Sequence, residues 1–230
     1  MRILVTGGAG FIGSHTCLVL LEKGYEVVVI DSYVNSSKKA LHRVTEILQS
    51  KKNIKVFNID IRDEKLLEKL FLNAQEIGKH FDAVIHFAGL KSVRDSVSNP
   101  FLYWDVNVNG SINLLRVMNK FNCRTIVFSS SATVYGITSD QPITENTDIK
   151  PCNPYGKTKA SVEQLLNDIY NSNPTKWKIA NLRYFNPIGA HPSGLIGESP
   201  LDFPNNLFPY ITQVAALKRE KLTVFGNDWG

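Results

Sequence analysis

Short apolar runs alternate with longer amphipathic stretches over most of the chain. The short runs predict six strands, over residues 2–6, 26–30, 54–59, 83–87, 125–129 and 179–184. Between them, apolar residues recur at helical spacing, which predicts helices over residues 12–23, 36–50, 64–77, 100–120 and 155–170. Alternating strands and helices are typical of an α/β protein, so we expect a doubly wound parallel sheet of the Rossmann type.

The pattern changes beyond residue 186, where prolines and glycines interrupt the chain repeatedly up to residue 209. We predict a ligand-facing loop region there, followed by a helix over residues 208–218 and a strand over residues 222–225. The chain therefore divides into a larger domain over residues 1–185 and a smaller region over residues 186–230.

Composition and charge narrow the class of protein. The 230 residues are 43% hydrophobic and 20% charged, which predicts a folded globular protein and excludes a disordered one. No apolar run approaches the roughly 20 residues of a membrane-spanning helix, so we expect no membrane insertion. Cys17, Cys123 and Cys152 are widely spaced and odd in number, which favours reduced thiols and a cytoplasmic location.

Several kinds of chemistry find no support in the sequence. The net charge of +5 includes basic runs no longer than pairs, so nucleic-acid binding is not expected. The five histidines lack metal-ligand spacing, so we expect no metal site. The sequence has no G-x-S-x-G motif of a hydrolase, and Pro151 replaces the first glycine of a phosphate-binding loop that would end at residues 156–158.

A glycine-rich loop follows the first predicted strand and opens the first predicted helix. Gly8, Gly10 and Gly13 match G-x-G-x-x-G around Phe11 and Ile12, and Gly7 extends the motif to G-x-x-G-x-x-G. In this context the motif predicts that a dinucleotide pyrophosphate binds at the helix N-terminus, where free N–H groups and the helix dipole favour an anion.

Two carboxylates follow the next predicted strands. Asp31 ends the second strand at the position where an acid accepts hydrogen bonds from the adenosine ribose, so we expect NAD and not NADP as cofactor. Asp60, beside Ile61, ends the third strand and is predicted either to contact the adenine or to cap the next helix.

Tyr155 and Lys159 are four residues apart, so a helix places them on one face. A tyrosine beside an ammonium group and an oxidised nicotinamide is a candidate general base. Ser131 and Thr133 follow the fifth strand at the ligand-binding edge of the sheet and are candidates to bind a reacting hydroxyl. Ser129 and Ser130 are interpreted as ordinary residues at the end of the strand.

Several motifs together resemble the UDP-galactose 4-epimerase family of the extended short-chain dehydrogenase/reductase superfamily. Two examples are His86-Phe-Ala-Gly-Leu-Lys91 and Asn153-Pro-Tyr-Gly-Lys-Thr-Lys159, and the others lie at residues 6–13, 129–136, 183–194 and 204–207. The likeness runs from the first residue to residues 225–228. The motifs at residues 6–13 and 153–159 are common to the superfamily, whereas the later ones are specific to the epimerases.

The resemblance implies an activity and a role for each matching residue. Hydride would pass between sugar C4 and tightly bound NAD, through a 4-keto sugar, to interconvert UDP-galactose and UDP-glucose. Tyr155 would be the base, assisted by Ser131, and Lys159 would hold the nicotinamide ribose. Further cofactor contacts would come from Phe87, Ala88, Gly89, Lys91 and Tyr184, and further substrate contacts from Asn186, Asn206 and Leu207.

The resemblance also implies a longer protein and leaves alternatives open. Family members continue past residue 228 into a portion with further UDP-binding residues, so residues 186–230 would be a partial nucleotide-sugar region. One alternative is a nucleotide-sugar 4,6-dehydratase or a reductase, although Ala132 and Thr133 stand where a dehydratase would carry an acidic pair. Another alternative is an NAD-binding module without turnover. Apolar faces on the helices at residues 100–120 and 155–170 favour a homodimer.

Overall fold

The computed structural model describes residues 1–49, 53–139, 142–200, 204, 206–224 and 226–227. Its centre is a parallel sheet of six strands in the order β3-β2-β1-β4-β5-β6. The strands are β1 (Arg2–Thr6), β2 (Glu26–Asp31), β3 (Ile54–Asn58), β4 (Ala83–His86), β5 (Thr125–Ser131) and β6 (Lys178–Tyr184). This sheet confirms the predicted fold. The strand order reverses between β1 and β4, which opens a crevice at the carboxyl ends of these strands.

Helices cover the connections between the strands. They are α1 (Phe11–Glu22), α2 (Lys38–Ile47), α3 (Glu64–Glu76), α4 (Val93–Ser98), α5 (Pro100–Tyr103), α6 (Gly110–Lys120), α7 (Pro154–Ser172) and α8 (Leu207–Ala215). A π-helical turn, Trp104–Asn109, joins α5 to α6, and a 3₁₀ turn, Ala132–Tyr135, follows β5.

Local sequence explains where the helices begin and end. The side chains of Ser37, Asp63 and Asn153 accept hydrogen bonds from backbone N–H groups in the first turns of α2, α3 and α7. Pro154 then occupies the first turn of α7, where its missing N–H costs nothing. Gly24 follows α1 with a φ of +80°, as expected for a glycine that ends a helix.

The core lies on both faces of the central strands. Every residue of β1 is buried. Leu4 packs into the cluster on one face, whereas Ile3 and Val5 pack into the cluster on the other. This alternation follows from the period of two in a strand. In contrast, β6 lies at the edge of the sheet, and its residues are exposed or half-buried.

Three predicted elements differ from the structure by more than the position of an end or by several residues. The single helix predicted over residues 100–120 is interrupted by the π-helical turn, and α4 was not predicted. The last helix ends at Ala215 instead of residue 218. Residues 222–224 of the predicted last strand have no strand structure, and residues 50 and 225 of the predictions lie outside the described residues.

Candidate active site

The glycine loop at the end of β1 leaves no space for side chains. A Cβ added to Gly13 would lie 2.4 Å from the carbonyl oxygen of Gly7, and one added to Gly7 would lie 2.6 Å from the backbone nitrogen of Ala88. Gly7 also has a φ of +67°, which glycine adopts at little cost. The loop therefore packs backbone against backbone beside the start of α1.

The N-terminus of α1 suits an anion. Gly10 precedes the helix without a side chain to cap it, and the first turn contains no acidic residue. The N–H groups of a first turn lack partners within the helix, and the helix dipole makes this end positive. The cradle therefore fits the pyrophosphate of a dinucleotide.

Asp31 is buried at the end of β2, beside this cradle. Its Oδ2 accepts a hydrogen bond of 2.9 Å from the backbone N–H of Ala9. Its Oδ1 accepts hydrogen bonds from the backbone N–H of Tyr33, at 2.9 Å, and from the Ser36 hydroxyl, at 2.8 Å. A carboxylate has about four acceptor positions, so these three bonds orient Asp31 and leave capacity for a ribose hydroxyl.

Asp60 lies at the end of β3 in a surface ion pair. Its carboxylate is 2.7 Å from the Arg62 guanidinium, whose hydrogen bonds lower the pKa of Asp60. Arg62 also contacts Asp105 at 3.0 Å. The residue that caps α3 is Asp63, so the alternative in which Asp60 caps that helix is wrong. Its neighbour Ile61 is buried against α6, where a Cβ on Gly110 would lie 2.7 Å from the Ile61 side chain.

A series of hydrogen bonds from the ends of β1 and β4 to α6 holds the segment Phe87–Lys91. The N–H of Ala88 donates to Thr6 Oγ1 at 3.1 Å, and this hydroxyl lies 2.7 Å from His86 Nδ1. His86 Nε2 lies 2.8 Å from Ser111 Oγ, which donates to the Asn107 carbonyl at 2.5 Å. Since Ser111 uses its proton on that carbonyl, His86 carries its own proton on Nε2 and accepts at Nδ1.

His86 remains neutral within this series of hydrogen bonds. Burial lowers its pKa to about 3, and the nearby Lys159 ammonium contributes to the decrease. A neutral imidazole with one donor and one acceptor matches its two hydroxyl partners. The series of hydrogen bonds therefore holds the backbone after β4 in one position.

The π-helical turn directs Asn107 at the same segment. Asn107 Oδ1 accepts from the Leu90 N–H at 2.8 Å, and its Nδ2 donates to the Leu90 carbonyl at 3.0 Å. The same Nδ2 donates to Thr158 Oγ1 on α7 at 3.1 Å. A Cβ on Gly89 would lie 3.0 Å from Asn107 Oδ1. Sequence reasoning missed Asn107, because nothing in the local sequence separates it from Asn109 and Asn113.

Glu198 connects a predicted cofactor residue to a predicted substrate residue, and it too was missed. Its Oε1 lies 3.4 Å from the Lys91 ammonium and accepts a hydrogen bond of 2.7 Å from Asn206 Nδ2. The structure thus brings Lys91 and Asn206 together. Asn186 and Leu207, the other predicted substrate residues, are both exposed.

Ser131, Thr133 and Tyr155 form one group at the end of β5. The Thr133 hydroxyl donates to Ser131 Oγ at 2.9 Å, and Ser131 is hydrogen-bonded to the phenol of Tyr155. Burial raises the pKa of Tyr155, and the bond to Ser131 opposes this effect. Tyr184 is opposite Ser131 on β6 and is half-buried, which raises the pKa of its phenol.

Lys159 lies one turn further along α7 and is buried. Its Nζ donates to the Ser129 carbonyl at 2.8 Å and lies 5.9 Å from the centre of the Tyr155 ring. Burial lowers the pKa of Lys159 to about 8, and the negative charge of Glu163 opposes the decrease. The notional Cβ of Gly89 would lie 3.7 Å from Nζ, so the ammonium faces the segment after β4.

Consecutive serines of β5 contact successive turns of α7. Ser131 bonds Tyr155, the Ser129 carbonyl bonds Lys159, and the Ser130 hydroxyl donates to Glu163. Sequence reasoning missed Ser129, Ser130 and Glu163. The signal was present, because Tyr155, Lys159 and Glu163 recur at intervals of four on one helical face.

Among the described residues, no group of three or more His, Cys, Asp or Glu side chains is arranged to hold a metal ion. Within the same part of the chain, no helix has the length and hydropathy needed to span a membrane.

Comparison with known proteins shows that the chain is similar to enzymes that act on nucleotide sugars. A family model described as GDP-mannose 4,6 dehydratase matches residues 4–229. UDP-glucose 4-epimerase 2 of Arabidopsis thaliana is 53% identical over 99% of the chain, and UDP-glucose 4-epimerase of Bacillus subtilis (strain 168) is 50% identical over 100% of it.

A solved structure gives the same result. UDP-glucose 4-epimerase from Bifidobacterium longum, in complex with NAD+ and UDP, is 47% identical and superimposes with a TM-score of 0.92 over the whole chain. The chain spans 63% of the Arabidopsis relative, 65% of the Bacillus relative and 66% of the Bifidobacterium chain. The predicted likeness to the epimerases is therefore confirmed, and the chain belongs to the family that the GDP-mannose 4,6 dehydratase model describes, within the extended short-chain dehydrogenase/reductase superfamily.

Proposed function

We propose that this protein interconverts UDP-galactose and UDP-glucose by 4-epimerisation, with NAD retained between turnovers. The observation that carries the proposal is the group of Ser131, Tyr155 and Lys159 beside a backbone cradle that fits a pyrophosphate. The 47–53% identity to UDP-glucose 4-epimerases supports it, as does the NAD+ and UDP in the Bifidobacterium structure.

The cofactor would lie along the carboxyl edge of the sheet. Gly7, Gly10 and Gly13, with Phe11 and Ile12, would bind its pyrophosphate, and Asp31 its adenosine ribose. Asp60 and Ile61 would border the adenine. Phe87, Ala88 and Gly89, with Lys91 and Tyr184, would line the nicotinamide half, and Lys159 would hold its ribose. When bound, NAD supplies a hydride acceptor that gives the hydride back to the other face of the same carbon.

Tyr155 would remove the proton of the sugar 4-hydroxyl and later return it. Burial raises its pKa, which opposes this role, so the base needs positive charge nearby to form the phenolate. Lys159 supplies one such charge. Ser131 and Thr133 would bind the same hydroxyl, because their side chains already form a hydrogen-bonded pair directed at Tyr155.

Epimerisation also requires the 4-keto sugar to turn over while the nucleotide stays bound. Asn206 and Leu207, at the start of α8, and Asn186, after β6, would contact the UDP-sugar. They belong to the proposed nucleotide-sugar region over residues 186–230, which follows a proposed NAD domain over residues 1–185. The loop before α8 bears Glu198, whose bonds to Lys91 and Asn206 would connect the two regions.

The test is proton NMR of UDP-galactose incubated with the purified protein and no added NAD. We expect the anomeric signal of UDP-galactose to be replaced in part by that of UDP-glucose. A new methyl signal of a 4-keto-6-deoxy sugar would instead identify a dehydratase, the activity named in the matched family model. Bound NAD released by denaturation, with neither product, would identify a binding module without turnover.

We also propose a homodimer in the cytoplasm. Phe101 is 91% exposed and Val97 63% exposed, and with Trp104 they give the α4–α5 side of the molecule an apolar surface. Cys17 and Cys123 are buried free thiols, and Cys152 is an exposed one, which suits a reducing compartment. Light scattering of the purified protein tests the dimer.

A further inference from the structure

A buried ion pair lies behind the Tyr155–Lys159 face of α7. Glu163, one turn beyond Lys159, has a side chain that is 5% exposed, and the Arg183 side chain on β6 is 18% exposed. The Arg183 NH2 lies 2.7 Å from Glu163 Oε2, and its Nε lies 3.1 and 3.2 Å from the two carboxylate oxygens. The two groups therefore face each other in the paired geometry typical of a strong guanidinium–carboxylate contact.

Further hydrogen bonds fix both partners. The Ser130 hydroxyl donates to Glu163 Oε1. Arg183 NH1 donates to the Tyr135 hydroxyl at 2.9 Å and to the Glu145 carbonyl at 3.3 Å. The pair thus connects β5, β6, α7 and the 3₁₀ turn after β5, all of which also position the Tyr155 group.

Stability alone is a weak explanation for such a pair. Removing two charges from water is costly, and well-packed apolar residues often stabilise a protein equally well. The position of the pair is more informative. Glu163 continues the series of Tyr155 and Lys159 at intervals of four, so its charge acts on the same buried face.

The other charged groups around this face are few. Lys159 is the nearest cation, and His86 on β4 is neutral because burial lowers its pKa to about 3. Tyr103 on α5 faces Tyr155 and is also neutral, since burial raises its pKa, and the Asp95 carboxylate on α4 adds a negative charge beside Tyr103. Glu163 and Arg183 therefore add one negative and one positive charge, which nearly cancel.

We propose that Glu163 and Arg183 are positioning residues that neutralise each other, so that neither buried charge displaces the pH at which the Tyr155 phenol ionises. The inference deepens the proposed function, because it concerns the base of that reaction. With the pair intact, no unpaired buried charge from these two residues acts on Tyr155. Loss of either partner leaves a net charge in a region of low dielectric constant, where its effect reaches Tyr155.

The test follows ionisation of Tyr155 without turnover. Tyrosinate absorbs in the ultraviolet, so the titration of Tyr155 is the difference between each protein and its matched Tyr155→Phe form. Glu163→Gln leaves the Arg183 charge unpaired, so we expect the midpoint to fall by about one pH unit. Arg183→Gln leaves the Glu163 charge unpaired, so we expect the midpoint to rise by a similar amount.

Two controls separate charge from packing. The double variant Glu163→Gln/Arg183→Gln has no unpaired charge, and its midpoint should return close to that of the unmodified protein. Asp168→Asn removes an exposed carboxylate from the same helix and should leave the midpoint in place. The proposal would be overturned if the midpoint moved in the same direction in both single variants, or if it moved in neither of them.

The design remains decisive when a variant does not fold. If Glu163→Gln is lost, Arg183→Gln should raise the midpoint while Arg183→Lys, which keeps the charge, should not. If both charge-removing single variants are lost, the neutral double variant must still titrate like the unmodified protein, and a displaced midpoint there contradicts the proposal. Because no step needs a sugar, opposite shifts in a protein without epimerase activity would refute the proposed function alone.

Discussion

The ligand-binding edge of the sheet presents different groups to a ligand at two places, the end of β1 (the β1 side) and the end of β5 (the β5 side). At the end of β1, the cradle offers backbone only, because Gly7 and Gly13 have no space for a Cβ. At the end of β5, side chains form the site, through Ser131, Tyr155 and Lys159. Cofactor binding on the β1 side should therefore be lost when atoms are added, and turnover on the β5 side should be lost when atoms are removed.

Removal of one oxygen from the β5 side should have the largest effect. Tyr155→Phe eliminates the proposed base, and we expect epimerisation measured by NMR to fall about a thousandfold, within the usual range for general bases. The NAD content of the purified protein should stay unchanged. Tyr170→Phe, at an exposed position on the same helix, is the matched control. Turnover at the normal rate in Tyr155→Phe would exclude this residue as the base.

Replacing a leucine by alanine should cost more stability in a central strand than in the edge strand. Leu4 on β1 is 0% exposed, and Leu182 on β6 is 40% exposed. Leu4→Ala should lower the free energy of unfolding by about 3 kcal/mol because it creates a cavity. Leu182→Ala should lower it by less than about 1 kcal/mol, since water already reaches that side chain. Equal losses in denaturant titrations would mean that β6 is packed as well as β1.

Addition of one methyl group should break the cradle. In Gly13→Ala the new Cβ would lie 2.4 Å from the Gly7 carbonyl oxygen, so the loop must move. We expect the dissociation constant for NAD, measured by calorimetry, to rise about a hundredfold, equivalent to about 3 kcal/mol.

Gly24→Ala is the control for this change. Gly24 has a φ of +80° and open space around it, so alanine there should cost about 1 kcal/mol of stability and leave NAD binding unaltered. Normal NAD affinity in Gly13→Ala would contradict the account of the cradle.

The smallest expected effect is a pH dependence on the β5 side. The pKa of Lys159 is about 8 in the folded protein, against an ordinary value of 10.5. The unfolded chain binds more protons between these values, so Lys159 makes stability rise as pH increases from 8 to 10.5, by about 1.4 kcal/mol for each pH unit.

Lys159→Met should abolish this contribution. The buried thiols act in the opposite direction, since burial raises the pKa of Cys17 and Cys123 to about 12, but they are the same in both proteins. The difference between the two stability curves therefore isolates Lys159. Lys157→Met, at an exposed position on the same helix, should keep the slope of the unmodified protein. An identical slope in Lys159→Met would show that Lys159 keeps an ordinary pKa.

Sequence reasoning worked where the local pattern decides the structure. The buried strands, the glycine loop and the interval between Tyr155 and Lys159 all depend on residues close together in the chain. Element ends were less accurate, because β5 continues to Ser131 through pairing with Tyr184, which is distant in sequence. The predicted strand at residues 222–224 was wrong for a related reason, since an apolar run forms a strand only where a partner strand is available.

The missed residues owe their roles to distant contacts. Asn107 contacts Leu90 and Thr158 on two other segments. Glu198 contacts Lys91, which is over 100 residues away in sequence. Glu163 was identifiable by its interval from Lys159, but its partner Arg183 lies on another element. Such pairings follow from the topology of the sheet and cannot be deduced from the spacing of residues.

The π-helical turn makes chain length itself a determinant of the site. A π turn accommodates one residue more than regular α-helix would over the same path. Deleting a residue within Trp104–Asn109 would permit regular α-helix over the same path, so α5 and α6 would keep their orientation while the wider turn that carries Asn107 would be lost. Asn107 would then leave its place beside Leu90, although every remaining side chain was unchanged. At this position, the geometry of the site depends on how many codons the gene contains as well as on which residues they encode.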